Sequence, residues 1–325
     1  MHWIKNTIMV MVLERVALGL LTLLAVSILI FAATSILPGD AATAVLGQGA
    51  TPETVQAYRH ELGLDRPAVV RYGEWLGRVL QGDLGTSLTS RRPIAESVIP
   101  RFENTLFLAG FAAIIAIPLA ICLGIVSAIN EGRFIDRFIN IVSLAAISVP
   151  EFFVAYLLIL FLAVKLGLFP TLATVFPEMS FSERAYVTVL PVIALIMIVT
   201  AHMLRMTRSA VLSILSQPYI EMAFLKGLRR RSVIITHALP NAAAPIISVV
   251  ALNLAYLIVG VVVIEVVFVY PGLGQYMVDA VSKRDLPAVQ SCALLFAATF
   301  VIVNAVADVF SVLVNPRLRR SRQKS

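Results

Sequence analysis

The chain has 325 residues, of which 59% are hydrophobic and only 14% charged, with a mean hydropathy of +0.91 and a net charge of +7. Soluble domains carry roughly 25% charged residues, so a large water-soluble fold is excluded for want of polar surface. Cys122 and Cys292 both lie in apolar runs and the four histidines are scattered, which leaves no disulfide framework and no metal-ligand spacing; excess Lys and Arg in such a chain report membrane topology rather than nucleic-acid binding.

A helix needs about 20 apolar residues to cross the hydrocarbon core. Six windows qualify: 16–37, 105–129, 139–164, 185–204, 242–264 and 291–314. The first is longer than a signal-peptide core and lacks a small-residue cleavage site, so a retained anchor is expected. The sequence therefore predicts an all-α integral membrane protein with six transmembrane helices. With the N-terminus inside, the short loops and tails hold fifteen Lys and Arg on the inner side and four on the outer. That bias predicts cytoplasmic N- and C-termini (1–15 and 315–325), an external loop over 38–104, a core over 105–314 and a cytoplasmic loop over 205–241. The tail after Pro316 is basic, as expected of a stop at the inner leaflet.

Within the external loop, Thr51-Pro52-Glu53 is a helix start and Gly63 a stop. A second helix is expected over 67–81, with Val70, Leu76 and Leu80 on one face and Arg71, Glu74 and Arg78 in water. This small helical subdomain would brace the outer face of the spans or dock a delivery protein. After the fifth window, Tyr270-Pro271-Gly272-Leu273-Gly274-Gln275 lacks the Gly-Lys-Ser/Thr end of a phosphate loop. It reads as a structural turn followed by a short helix through 277–281.

Two intramembrane acids stand out. Glu151 lies mid-span beside Pro150, a depth at which ionisable groups face protein or water, and it is a candidate for the translocation pathway and for contact with a substrate amine. Asp308 lies near the inner end of its span and is expected to snorkel or to pair with an inner-end arginine. Pro118, Pro150, Pro191 and Pro245 are expected to kink helices or to sit near span ends.

The most informative loop segment is polar and capped. Ser216-Gln217-Pro218 opens a helix, Glu221 favours its N-terminal dipole, and Gly227 permits a left-handed stop before Arg229, Arg230 and Arg231. Tyr219, Met222, Ala223 and Lys226 fall on one stripe. Spacing alone leaves two readings: a docking face for another protein's groove, or an interfacial helix on lipid.

Glu221, Ala223 and Gly227, with Leu239-Pro240 downstream, resemble the cytoplasmic "EAA" loop of ABC importer permeases; Met222 and His237 depart from that pattern. Further segments resemble the dipeptide/oligopeptide/nickel branch of the family. These are Leu37-Pro38-Gly39-Asp40, Leu62-Gly63-Leu64-Asp65-Arg66-Pro67, Gly82-Asp83-Leu84-Gly85-Thr86-Ser87, Tyr270-Pro271-Gly272-Leu273-Gly274, Arg284-Asp285-Leu286-Pro287-Ala288-Val289-Gln290 and Asn315-Pro316-Arg317. The long first external loop resembles that of the "B" member of the paired permeases. The resemblance implies a type I ABC importer permease fold in the bacterial inner membrane. It also implies a second homologous permease, two ABC ATPases and a periplasmic or lipid-anchored binding protein as partners, besides membrane lipid. Tyr219, Glu221, Met222, Ala223, Lys226 and Gly227 would then form the ATPase-coupling helix. No Gly-x4-Gly-Lys-Ser/Thr occurs in the chain, so no enzyme activity is expected here and ATP and magnesium belong to the partner ATPases. The rival expectation from composition is an ion-coupled secondary transporter, which would need no ATPase.

Overall fold

The computed structural model describes residues 2–36, 43, 46, 50–61 and 63–314, with the backbone alone over 2–11 and 310–314. Every regular element among them is helical. In chain order they are α1 (His2–Ile36), α2 (Pro52–Glu61), α3 (Ala68–Leu80), α4 (Ile94–Ile129), α5 (Phe134–Ser148), α6 (Glu151–Leu158), α7 (Phe181–Val187), α8 (Val189–Leu215), α9 (Pro218–Leu225), α10 (Leu239–Val267), α11 (Leu273–Ser282) and α12 (Leu286–Val314). The motifs Leu37-Pro38-Gly39-Asp40 and Asn315-Pro316-Arg317, and the basic tail, lie outside the described residues.

Among the described residues five helical stretches are long and apolar enough to cross a membrane, and a bent pair makes a sixth if it is counted as one span. The pair is the third expected span. Instead of one helix over 139–164, α5 and α6 (with a π-helical continuation, Ile159–Lys165) meet at 99°. The cause is local: Pro150 has no N–H to donate and forces Val149 into an extended conformation at ψ 129°. Pro118 and Pro245 lie inside α4 and α10, and Pro191 lies in the first turn of α8.

The centre of the bundle is α4 against α8, with α10 alongside. Small side chains on α4 (Ala109, Ala112, Ala116, Ala120, Gly124 and Ser127) are buried on one stripe, which lets the backbones approach. The approach is closest at Gly124, where a Cβ would lie 2.7 Å from Cβ of Thr207 and 2.8 Å from the Leu204 carbonyl oxygen. Outside this core, α1 packs on α12. Asp308 does pair with an arginine, Arg15 of α1, at 2.9 Å.

The face expected for α3 is corrected by the structure. Val70 and Leu80 are exposed and the buried residue is Trp75. Tyr72 packs edge-on and Trp75 tilted against Phe31 of α1 at centroid distances of 5.4 and 6.1 Å, and aromatic area outweighs the aliphatic stripe in setting the helix's orientation. Arg71, expected in water, is half-buried with its guanidinium 5.8 Å from the Phe31 ring centroid. The start of α2 is as expected, the Thr54 N–H donating to Thr51 Oγ1 at 3.3 Å.

Candidate functional site

The loop between α8 and α10 is built by its caps. Gln217 is extended, and Pro218 occupies the first turn of α9, where its missing N–H costs nothing. At the other end, the Gly227 N–H donates to the Phe224 carbonyl at 2.9 Å and the Leu228 N–H to that of Ala223 at 3.3 Å. Together with φ +79° at Gly227, these bonds form a Schellman stop. Ile220, fully buried against Val233 and Ala238, pins the helix to the body of the protein.

That anchor fixes which side of α9 is free. Tyr219 and Met222 are exposed at 38% and 53%, and Glu221 and Lys226 are exposed as well. Ala223 does not share their face: it packs inward beside Ile220. Leu225, 74% exposed, and Phe224 extend the apolar outer surface instead. The stripe read from the sequence missed both, because without knowing that Ile220 is the anchor, the outward direction is undefined.

The loop is tied to the bundle. Nη2 of Arg230 donates to the carbonyl of Ile129, the last residue of α4, at 2.7 Å. Its charge thus meets the negative end of α4 rather than that of α9. The chain then enters α10 through a π-helical turn, Val233–Ala238, just before Pro240. One turn or two before the loop, Arg208 of α8 grips Asp136 of α5 with bonds of 2.7 and 2.9 Å. Asp136 also accepts from Ser127 Oγ of α4 at 2.5 Å, from the Gly132 N–H at 2.9 Å and from Asn140 at 2.7 Å. One buried carboxylate therefore joins α4, α5 and α8 at the end of the bundle nearest α9. Nothing in the sequence marked Asp136 or Arg208, since their partnership spans 72 positions.

Glu151 opens α6 directly after the bend at Pro150. It is half-buried and faces Gly260 of α10, where a Cβ would lie 3.8 Å from its carboxylate. His202 of α8 is near enough to act on it electrostatically. Among the described residues no N–H or side chain donates a hydrogen bond to its carboxylate.

At the opposite end of the bundle from α9, the Tyr270–Gln275 turn wraps a carboxylate. Glu265, fully buried, accepts from the Gly274 N–H at 2.7 Å, the Gln275 N–H at 3.1 Å and Thr105 Oγ1 at 2.5 Å. The first turn of α11 thus closes on a carboxyl group supplied by the end of α10. Gly272 and Gly274 are required, because Cβ atoms there would lie 2.1 Å from the Glu265 carboxyl and 2.8 Å from Val262 Cα. The Tyr270 hydroxyl donates to the Asn104 carbonyl at 2.8 Å, and burial pushes its phenol up to about 12. The helix that follows runs over Leu273–Ser282, longer than the 277–281 expected. Close by, Asp285 receives Ser87 and Thr89 hydroxyls and the Leu88 N–H. Ser291 donates to the Leu84 carbonyl at 3.3 Å.

The model of the binding-protein-dependent transport system inner membrane component matches residues 120–320, and that of the N-terminal part of such membrane components matches residues 8–109. The chain belongs to this family. It is 38% identical over 277 residues to a putative peptide transport system permease protein of Brucella abortus (strain 2308), covering 85% of this chain and 88% of that one. It is 37% identical over 276 residues to a similarly described protein of Brucella suis, covering 84% and 87%. It is also 37% identical over 275 residues to a glutathione transport system permease protein of Salmonella paratyphi A, covering 85% and 87%. This permease is therefore an all-α, multi-pass inner-membrane subunit of an ABC importer; it transports and is not an enzyme. The ion-coupled alternative finds no support. Three segments that looked separate in the sequence, at 82–87, 270–274 and 284–290, are seen to lie at one end of the permease, joined by the bonds to Asp285 and by an apolar cluster that holds Leu84, Leu273 and Ala288.

Proposed function

We propose that the permease moves short peptides, or a small solute of similar chemistry, by coupling α9 to a partner ATPase. The observation that carries this reading is the outer surface of α9: Tyr219, Met222, Phe224 and Leu225 exposed on a helix held rigidly by Ile220 and the Gly227 stop. An apolar face on a short capped helix fits a groove in another protein. In this scheme Glu221 and Lys226 interrupt that surface with one charge of each sign, and Ala223 acts from the inner side by allowing close packing. The Arg230–Ile129 bond and the Asp136–Arg208 pair pass its displacement to α4, α5 and α8.

The complete importer pairs this chain with a second, homologous permease, two ATPases that hold ATP and magnesium, and a periplasmic or lipid-anchored binding protein. Both termini and α9 lie in the cytoplasm, as the charge bias favours. The substrate class follows from relatives named for peptide and glutathione transport. Glu151 lines the path, its free carboxylate receiving a substrate amine. Purification of the tagged permease should bring down a P-loop ATPase, and the complex in vesicles should take up peptide only with ATP. Uptake by the permease without any ATPase would defeat the proposal. Glu151→Gln should weaken transport of substrates with a free amine while sparing amine-blocked ones, and an unchanged preference would remove Glu151 from the path.

A further inference from the structure

Helix α3 has three distinct sides. Tyr72, Trp75 and Val79 form the side turned to α1. At about 100° per residue, Val69, Gly73, Leu76 and Leu80 form a second column to one side of it. Arg71, Glu74 and Arg78 form a third, opposite the second. The apolar column is uncovered: Val69 is 81% exposed and Leu80 79%. The polar column carries an ion pair, Arg66 to Glu74 at 2.8 Å.

We propose that α3 lies in the membrane interface at the C-terminal end of α1, with the Val69–Leu80 column against acyl chains and Glu74 and Arg78 in water. The depth agrees. The Tyr72 hydroxyl bonds to Ser27 Oγ at 2.8 Å, and Ser27 lies eight residues inside the apolar stretch that ends at Ser35. That is about 12 Å along the helix axis, within a tyrosine's reach of a helix sunk ~5–10 Å into the headgroup and acyl boundary. The surface is continuous with one that faces lipid in any membrane-spanning arrangement, since Leu24 and Ile28 of α1 are exposed alongside. Phe31, Tyr72 and Trp75 sit where aromatic belts form, and Arg71 lies over Phe31 as a long cation does when it reaches from apolar ground toward water. A protein partner is the poorer fit. The uncovered column offers valine, leucine and glycine, without the aromatic or arginine anchors that dominate protein interfaces.

The test places single nitroxide labels at Val69, Leu80, Glu74 and Arg78 in a Cys122→Ser, Cys292→Ala background. The permease, with its copurifying subunits, is reconstituted in phosphatidylethanolamine and phosphatidylglycerol vesicles. Collision with oxygen, which concentrates in lipid, is compared with collision with a water-soluble nickel chelate. Labels at 69 and 80 should favour oxygen several-fold, and labels at 74 and 78 should favour nickel. Nickel access at 69 and 80 equal to that at 74 and 78 would overturn the proposal in favour of an aqueous helix. Protection of 69 and 80 from both reagents would overturn it in favour of a protein partner. If the cysteine-free chain does not fold, the difference in quenching by brominated lipid between the natural complex and its Trp75→Phe form reports Trp75 alone and should be positive; no difference would equally overturn the proposal.

Discussion

Replacing Gly227 by valine isolates the contribution of one backbone angle. No atom lies within 4 Å of the position its Cβ would take, so steric clash contributes nothing. What remains is the left-handed conformation at φ +79°, which a residue with a Cβ adopts at about 1–2 kcal/mol, with β-branched residues the worst and asparagine among the best tolerated. That cost falls on the two bonds of the Schellman stop and hence on the angle at which α9 is presented. A difference of that size changes a two-state population roughly 5–30-fold. Gly227 lies between the membrane-crossing helices, so insertion and abundance should be unchanged by immunoblot. ATP-driven uptake in reconstituted vesicles should fall by about that factor in Gly227→Val and clearly less in Gly227→Asn. Wild-type uptake by the valine variant, or equal losses in the two, would refute the reasoning that the stop positions the coupling surface.

Gly274→Ala should destabilise the detergent-purified protein by about 1–3 kcal/mol, because its Cβ would meet the Val262 backbone rather than a movable side chain; an unchanged melting curve would contradict the clasp on Glu265. Asp136→Ala strips Arg208, whose side chain is 22% exposed, of its two hydrogen bonds and should cost about 1–3 kcal/mol, whereas Asp136→Ala combined with Arg208→Met should recover much of it. Thermal unfolding of the three proteins checks this. Val269 adopts φ +51° at the end of α10, the same stop as at Gly227 but with a β-branched residue in it. Val269→Gly should therefore raise stability by about 1 kcal/mol, the relieved strain exceeding glycine's entropic cost.

The helical, membrane-crossing character was legible because it rests on composition and window length, which no tertiary contact can reverse. The start and stop of α9 were legible for the same reason: Pro218 and Gly227 act within a few residues of themselves. What stayed hidden depends on contacts across the chain. The 99° bend shows this most clearly, since Pro150 signals a break but not whether the flanking helices realign. The orientation of α3 turned on packing against Phe31, more than forty positions earlier, and the outward face of α9 turned on Ile220. Glu265 fell one residue past an apolar window and drew no attention, though the glycines that make room for it were already singled out. Asp308 fared better, because an acid near a helix end has few partners within reach, and Arg15 is one of them.

In the proposed function the exposed side of α9 seats in an ATPase. The most direct measurement of that contact is a cross-link from a single cysteine at Met222, in a chain carrying Cys122→Ser and Cys292→Ala, within the purified complex. Met222→Cys should cross-link to the ATPase in high yield, and a cysteine at Ile220, which faces the core, should give no cross-link. A Met222→Cys chain that reacts freely with a water-soluble maleimide in the assembled, transport-competent complex, and never cross-links to the ATPase, would contradict it.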